Sequence, residues 1–324
     1  MAGTFAHITV VDTLCTTGEV LESIDTLTRV MRYSLRKYLN FCELGAVSPD
    51  CPQLKLPDLS AAAWSQVMHH GKTADFVRQA VPLVFAMDWR RAATQQCNAW
   101  LFGYVGHLVT DMTVHPVLNL KNGTYAEHPR THRVCEMNQD VYIFHQRGLG
   151  EVTKAEYLRD CGIGTCSTSG DARKLAPAVA RLWTKSLKAV QSAKQTPKPA
   201  TPKPTKPPEP DEWYHHFVAI LDKFVEEGGR LPRFLRGFLE SEGLVFPEIE
   251  NVRREYLRNL PTPLGETLDY DELFERVQVN LKETWRELGL ALDRGQPDLF
   301  TLPNGDLDSG LDEAAQSVFW RNNA

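Results

Sequence analysis

The chain has 324 residues, with 36 Lys and Arg against 41 Asp and Glu, a formal charge of −5, 42% hydrophobic and 24% charged residues. These values exclude a wholly disordered chain and leave ample length for a buried core. The slight acidity offers no basic stripe, so no dedicated nucleic-acid binding is expected. The longest apolar run, residues 80–87, falls far short of the roughly 20 residues a spanning helix needs. The opening MAGTFAH lacks the basic start and continuous apolar stretch of a secretory signal. The chain is therefore expected to be cytoplasmic at synthesis, with any export by a signal-independent route. Seven cysteines without a CxxC pair read as free thiols.

The elements read as helices almost throughout. Residues 19–43 place Leu21, Ile24, Leu27, Met31, Leu35, Tyr38 and Cys42 at three- and four-residue steps, one apolar helical face that Gly45 would stop. Further helices are expected near 60–70, 73–92, 92–114, 130–147, 171–193, 212–227, 230–241, 247–259 and 269–292, with Pro82 kinking or breaking the second of them. No run alternates as a strand between hairpin turns. The class is all-α, a multi-helix bundle.

Residues 196–210, TPKPATPKPTKPPEP, hold seven prolines and three lysines. They read as an extended, flexible insertion of up to about 45 Å, a solvated loop or a docking site for a protein partner that binds proline-rich segments. The expected organisation is a helical core over 1–195, the insertion at 196–210, helices over 211–294 completing the same bundle, and a polar peripheral tail at 295–324.

The chemistry concentrates in two stripes. In WLFGYVGHLVTDMTVHPVLN, His107, Asp111 and His115 lie at i, i+4 and i+8, so all three project from one face of an apolar helix. Gly103 and Gly106 on that helix would let a neighbour approach closely. A buried face with two imidazoles and a carboxylate needs compensation, which a zinc ion bound through His nitrogen and Asp oxygen supplies. In THRVCEMNQD, His132, Glu136 and Asp140 repeat the spacing. Two such stripes joined by a short loop could turn toward each other, and together they are far more specific than either alone. Upstream, Asp50 ends GAVSPD, His69 and His70 end a short helix, and His7 lies in an apolar stretch. Taken singly, these are a turn carboxylate, surface histidines and a core histidine.

The order His7, GAVSPD, His69, His107-x3-Asp111-x3-His115 and His132-x3-Glu136 resembles the zinc-dependent phospholipase C family, which includes the catalytic domain of glycosylphosphatidylinositol-specific phospholipase D and is distantly related to S1/P1-type nucleases. The resemblance covers roughly residues 1–145. It implies an all-α bundle around three zinc ions. One would be held by Asp50, His69, His107 and Asp111; a second by His115, His132 and Glu136; a third by His7, Asp111 and the amine of Ala2 after removal of Met1. The four-residue step from Asp111 to His115 departs from the simplest bacterial phospholipases C and from the nucleases, where it is six. The doublet leaves His69 and His70 both open as the ligand; His69 is preferred because in the family a bulky residue commonly follows the ligand, before a pair like Lys72-Thr73.

The implied function is zinc-dependent hydrolysis of phospholipids at a membrane surface. A metal-activated hydroxide would release the phosphorylated headgroup and leave diacylglycerol, with Asp50 and Asp111 as the catalytic carboxylates. Asp140 would orient His132 or the next helix. An S1/P1-like nuclease, a zinc-stabilised interaction protein, and a toxin or effector using the same chemistry are the competing readings.

Overall fold

The computed structural model describes residues 3–55, 58–152, 156–192, 203–226 and 246–321. Twelve α-helices appear among them: α1 (Thr4–Thr16), α2 (Gly18–Glu22), α3 (Arg29–Lys37), α4 (Leu39–Val47), α5 (Leu59–His69), α6 (Thr73–Phe85), α7 (Ala92–Asn122), α8 (Pro129–Gln146), α9 (Glu156–Asp160), α10 (Pro177–Ser192), α11 (Pro210–Glu226) and α12 (Tyr270–Arg294). The strands are three short antiparallel ribbons: β1 (Ser167–Thr168) with β2 (Asp171–Leu175), β3 (Leu260–Pro261) with β4 (Thr267–Leu268), and β5 (Gly305–Asp306) with β6 (Leu311–Asp312). The chain is an all-α multi-helix bundle.

The bundle is organised around α7. Its residues from Cys97 to Leu118 are all buried, on every side of the helix. A helix that is apolar all round must lie in the middle of its neighbours, and α7 packs against α3, α4, α6, α10 and α12. The crossing with α4 is the closest. A Cβ on Gly45 would sit 2.0 Å from the Trp100 carbonyl, and one on Gly103 would sit 1.8 Å from the Cys42 carbonyl. Each glycine lets the other helix's main chain through.

Several boundaries differ from the sequence reading. The single helix expected over 19–43 is three helices, because Thr28 caps α3 by accepting from the Met31 N–H and Tyr38 separates α3 from α4. Gly45 does not end α4, which runs to Val47; its role is the α7 crossing. Pro82 lies inside α6, which ends three residues later at Phe85. Residues 247–259 form only 3-10 turns at Ile249–Asn251 and Arg254–Tyr256. The helix expected over 230–241 lies outside the described residues.

In the proline-rich stretch, residues 203–210 are described, and they are tied to α5. The Thr205 and Lys206 N–H groups donate to Ser60 Oγ (3.0 and 2.9 Å), and Trp64 Nε1 donates to the Lys206 carbonyl (3.0 Å). The seven cysteines are unpaired, and only Cys161 is exposed. No helix among the described residues is long and apolar enough to cross a membrane.

The Asp12 carboxyl opposes the fold. Asp12 on α1 is partly buried, and burial pushes its pKa from 3.8 up to about 6. The folded chain therefore binds more protons than the unfolded one between pH ~4 and 6, and stability falls as pH rises through that window. Asp12→Asn is expected to stabilise the protein at pH 7 by about 1–2 kcal/mol, allowing for its partial exposure, and to change nothing at pH 3.5. Urea unfolding at the two pH values tests this; an equal gain at both would contradict it.

Candidate metal centre

Buried histidines and carboxylates meet where α1, α4, α5 and α7 converge. On α7 the four-residue step brings His107 Nε2 within 3.2 Å of Asp111 Oδ2 and His115 Nε2 within 3.4 Å of Asp111 Oδ1. From α1, His7 Nε2 reaches to 3.3 Å from Asp111 Oδ1, and its ring stacks on His107 with centroids 4.1 Å apart. Asp111 thus turns one oxygen to His107 and the other to His7 and His115. The second focus is Asp50, just past α4. Its Oδ1 lies 3.0 Å from His69 Nε2 and 3.9 Å from His107 Nε2, and the His69 and His107 Nε2 atoms are 3.4 Å apart.

The orientation of the imidazoles is set by main-chain carbonyls. His107 Nδ1 faces the Ala46 carbonyl at 2.8 Å, His69 Nδ1 the Ser65 carbonyl at 2.8 Å, and His115 Nδ1 the Leu307 carbonyl at 2.6 Å. A carbonyl only accepts, so each of these nitrogens carries the hydrogen; the Nε2 atoms of His107 and His115 then turn a lone pair inward, while His69 Nε2 donates to Asp50 Oδ1. This is the pattern by which metal-ligating histidines are held. On α8, His132 is arranged the other way round: Nε2 donates to the Gly123 carbonyl at 2.5 Å, leaving Nδ1 for any ligation.

The field in the cluster follows from burial against charge. Burial pushes the Asp111 carboxyl up, but His115, His107 and His7 outweigh it and hold Asp111 well below the usual carboxylate range. Asp50 behaves likewise, raised by burial and drawn down further by His107 and His69. Burial lowers His107, and takes His115 to about 4, so both favour the neutral ring that ligates. His69 goes up to about 9: burial lowers it, but the Asp50 hydrogen bond and charge prevail. On α8, burial raises Glu136, with the charges of Asp111 and Asp50 adding to the shift.

The donor set fits a metal. Two groups of three, His7–His107–Asp111 and Asp50–His69–His107, each bring their ligand atoms within 4.8 Å of one another. Among the described residues, neither ring nitrogen of His7 nor Nε2 of His115 has a hydrogen-bond partner, although both residues are buried. Buried polar atoms left so are costly, and a divalent cation would supply the missing partner. Asp50, at 8% exposure, and Glu136, at 7%, are the members nearest to solvent.

The sequence candidates are thus only partly gathered. His7, Asp50, His69, His107, Asp111 and His115 form one contact network. His69 faces Asp50, while His70 turns to Asp306 and Asp308. His132 and Glu136 are buried on α8 but belong to neither group of three. Ala2 lies outside the described residues.

Asp140 does not contact His132. Its carboxylate accepts from the Phe5 N–H (3.2 Å) and the Ala6 N–H (2.7 Å), capping α1, whose own N-cap residue is Gly3. A Cβ on Gly3 would lie 2.2 Å from that carboxyl. Burial pushes Asp140 well up, against the pull of the two N–H groups. Asp140→Ala should cost about 1–3 kcal/mol in chemical denaturation by leaving the Phe5 N–H buried without its acceptor and the Ala6 N–H with the Gly3 carbonyl alone (3.1 Å), and Asp140→Asn less, since it keeps an acceptor. Equal stability of Asp140→Ala and the unaltered chain would remove the capping role. Leu307 and Ala46, which act through main-chain carbonyls, escaped the sequence reading altogether, because any residue type can supply a carbonyl.

An all-α bundle that holds oriented imidazoles against two buried carboxylates presents His/Asp groups that could hold a metal ion. The family model described as zinc dependent phospholipase C matches residues 6–193, more than half of the chain. The chain belongs to the zinc-dependent phospholipase C family, and this membership supports a phospholipid-hydrolysing zinc enzyme. No curated protein and no solved structure matches the chain.

Proposed function

We propose that this chain is a phospholipase C-type phosphodiesterase that releases the phosphorylated headgroup of a phospholipid and leaves diacylglycerol. The observation that carries the reading is the set of inward-facing Nε2 atoms of His69, His107 and His115, each fixed by a main-chain carbonyl and each turned on Asp50 or Asp111. In this reading three zinc ions are held, by Asp50, His69, His107 and Asp111; by His115, His132 and Glu136; and by His7, Asp111 and the Ala2 amine. Zinc bound there would lower the pKa of a water toward about 7 and neutralise the phosphoryl oxygens.

The protein's own groups divide the remaining work. Asp111, facing histidines with both oxygens, ties the two halves of the cluster together. Asp50 stays ionised at neutral pH, sits at the more open side and can accept the proton of an attacking water. The apolar wall of α7 excludes bulk water, which strengthens each of these interactions.

The test is zinc per chain, by elemental analysis of untagged protein purified without chelator, followed by hydrolysis of phosphatidylcholine and other phospholipid vesicles beside single-stranded DNA. Two or three zincs, with chelator-sensitive headgroup release, are expected. No zinc in folded protein reconstituted with excess metal would overturn the proposal, and cleavage of DNA alone would move it to the nuclease class.

A further inference from the structure

The segment from Gly305 to Trp320 lies beyond residues 6–193 that the family model matches, yet it closes over two of the ligand helices. Leu307 is fully buried and uses both main-chain groups there. Its N–H donates to the His69 carbonyl at the end of α5 (2.8 Å), and its carbonyl accepts from His115 Nδ1 on α7 (2.6 Å). On either side of it the chain faces His70, whose Nδ1 lies 3.1 Å from the Asp306 carboxylate and whose Nε2 lies 3.6 Å from that of Asp308. The Gly71 N–H donates to the Gly305 carbonyl, and Asn119 Nδ2 donates to the Asp308 carbonyl.

The seat is specific. Gly310 has φ +67°, and a Cβ there would lie 2.7 Å from the Met112 carbonyl of α7. Trp320 is buried, and its indole N–H donates to the Thr113 carbonyl (2.8 Å). The acceptors that orient His69, His107 and His132 (Ser65, Ala46 and Gly123) all lie inside the matched segment. His115 takes its acceptor from 192 residues away.

We propose that residues 305–320 are a positioning strap for the metal centre. Leu307 holds His115 in the Nδ1–H tautomer, with Nε2 presented to metal, and links it to the end of α5 where His69 sits. Leu307 is a positioning residue, acting through its main chain. The role in metal binding rests on the zinc reading above; the tautomer does not.

The test uses the full-length chain labelled with 15N-histidine, the His115 signal being assigned by its loss in His115→Gln. Long-range 1H–15N correlations report which ring nitrogen is protonated, and competition with a chelator reports zinc affinity. Gly310→Val, which unseats the strap, should abolish the slowly exchanging Nδ1–H of His115 and weaken zinc binding by about 10- to 100-fold. Leu307→Ala should lower stability but keep the Nδ1–H signal, because the carbonyl remains; loss of the signal there would reduce the strap to packing. Should Gly310→Val fail to fold, Trp320→Leu is used, with amide exchange of Leu307 and exchange of the His115 Nδ1–H expected to accelerate together by at least tenfold. Unchanged tautomer and zinc affinity in a variant whose strap is unseated would overturn the proposal. A chain that binds no zinc but whose His115 tautomer follows the strap would instead overturn the zinc reading and leave the positioning role intact.

Discussion

In Asp111→Asn, phospholipid hydrolysis is expected to fall on the order of 10³-fold or more, together with a loss of bound zinc. Asp111 is fully buried, and its two oxygens lie 3.2–3.4 Å from the Nε2 atoms of His107, His7 and His115. Asparagine keeps the shape but has one acceptor oxygen in place of two and carries no charge. Three imidazoles would then lose the anion that draws them together, and bound cations would repel one another unscreened. Electrostatic stabilisation by such a centre supplies several kcal/mol at the transition state, and each 1.36 kcal/mol is tenfold in rate. Zinc per chain and headgroup release are measured on the same sample, with circular dichroism to show that the fold persists. Near-normal activity in a folded Asp111→Asn protein would remove this residue from the centre.

Gly103→Leu is expected to yield no soluble folded protein, and Gly103→Ala to lose more than about 4 kcal/mol of stability. Helix propensity alone predicts the opposite sign, a gain of about 1 kcal/mol for glycine to alanine inside a helix. The crossing decides: a Cβ at Gly103 would meet the Cys42 carbonyl oxygen at 1.8 Å and its carbon at 2.7 Å. Both are backbone atoms of a buried helix, so relief requires α4 to move off α7. Losses of this size belong to overpacking of a core that cannot yield. The displacement would also carry away the Ala46 carbonyl that orients His107. Gly18→Ala is the control, since nothing lies within 4 Å of a Cβ there. Denaturant unfolding of both variants is the measurement, and a Gly103→Ala protein as stable as Gly18→Ala would refute the close crossing.

The features legible in the sequence are those that depend on short spacing. His107, Asp111 and His115 had to share a face once α7 was helical, because four residues advance a helix by one turn and about 40°. Their mutual distances follow from that helix alone. The same argument put His132, Glu136 and Asp140 on one face of α8, and the density of apolar residues in α7 marked its ligand face as buried. A family resemblance carried by ordered motifs then supplied Asp50 and His69, whose partnership no spacing rule contains.

The tertiary structure decided what rests on contacts between distant segments. Asp140 caps α1 across 134 residues, and Leu307 orients His115 across 192. Gly45 looked like a helix stop and is instead half of a helix crossing; the same absence of a Cβ serves both uses, and only the neighbour at Trp100 distinguishes them. The polar composition of 295–324 read as a peripheral tail, yet Leu307 and Trp320 are buried against α7. Composition and periodicity record which side chains a segment must hide. A hydrogen bond accepted by a main-chain carbonyl leaves no mark on the residue that offers it, and its partner is chosen only when the helices have packed.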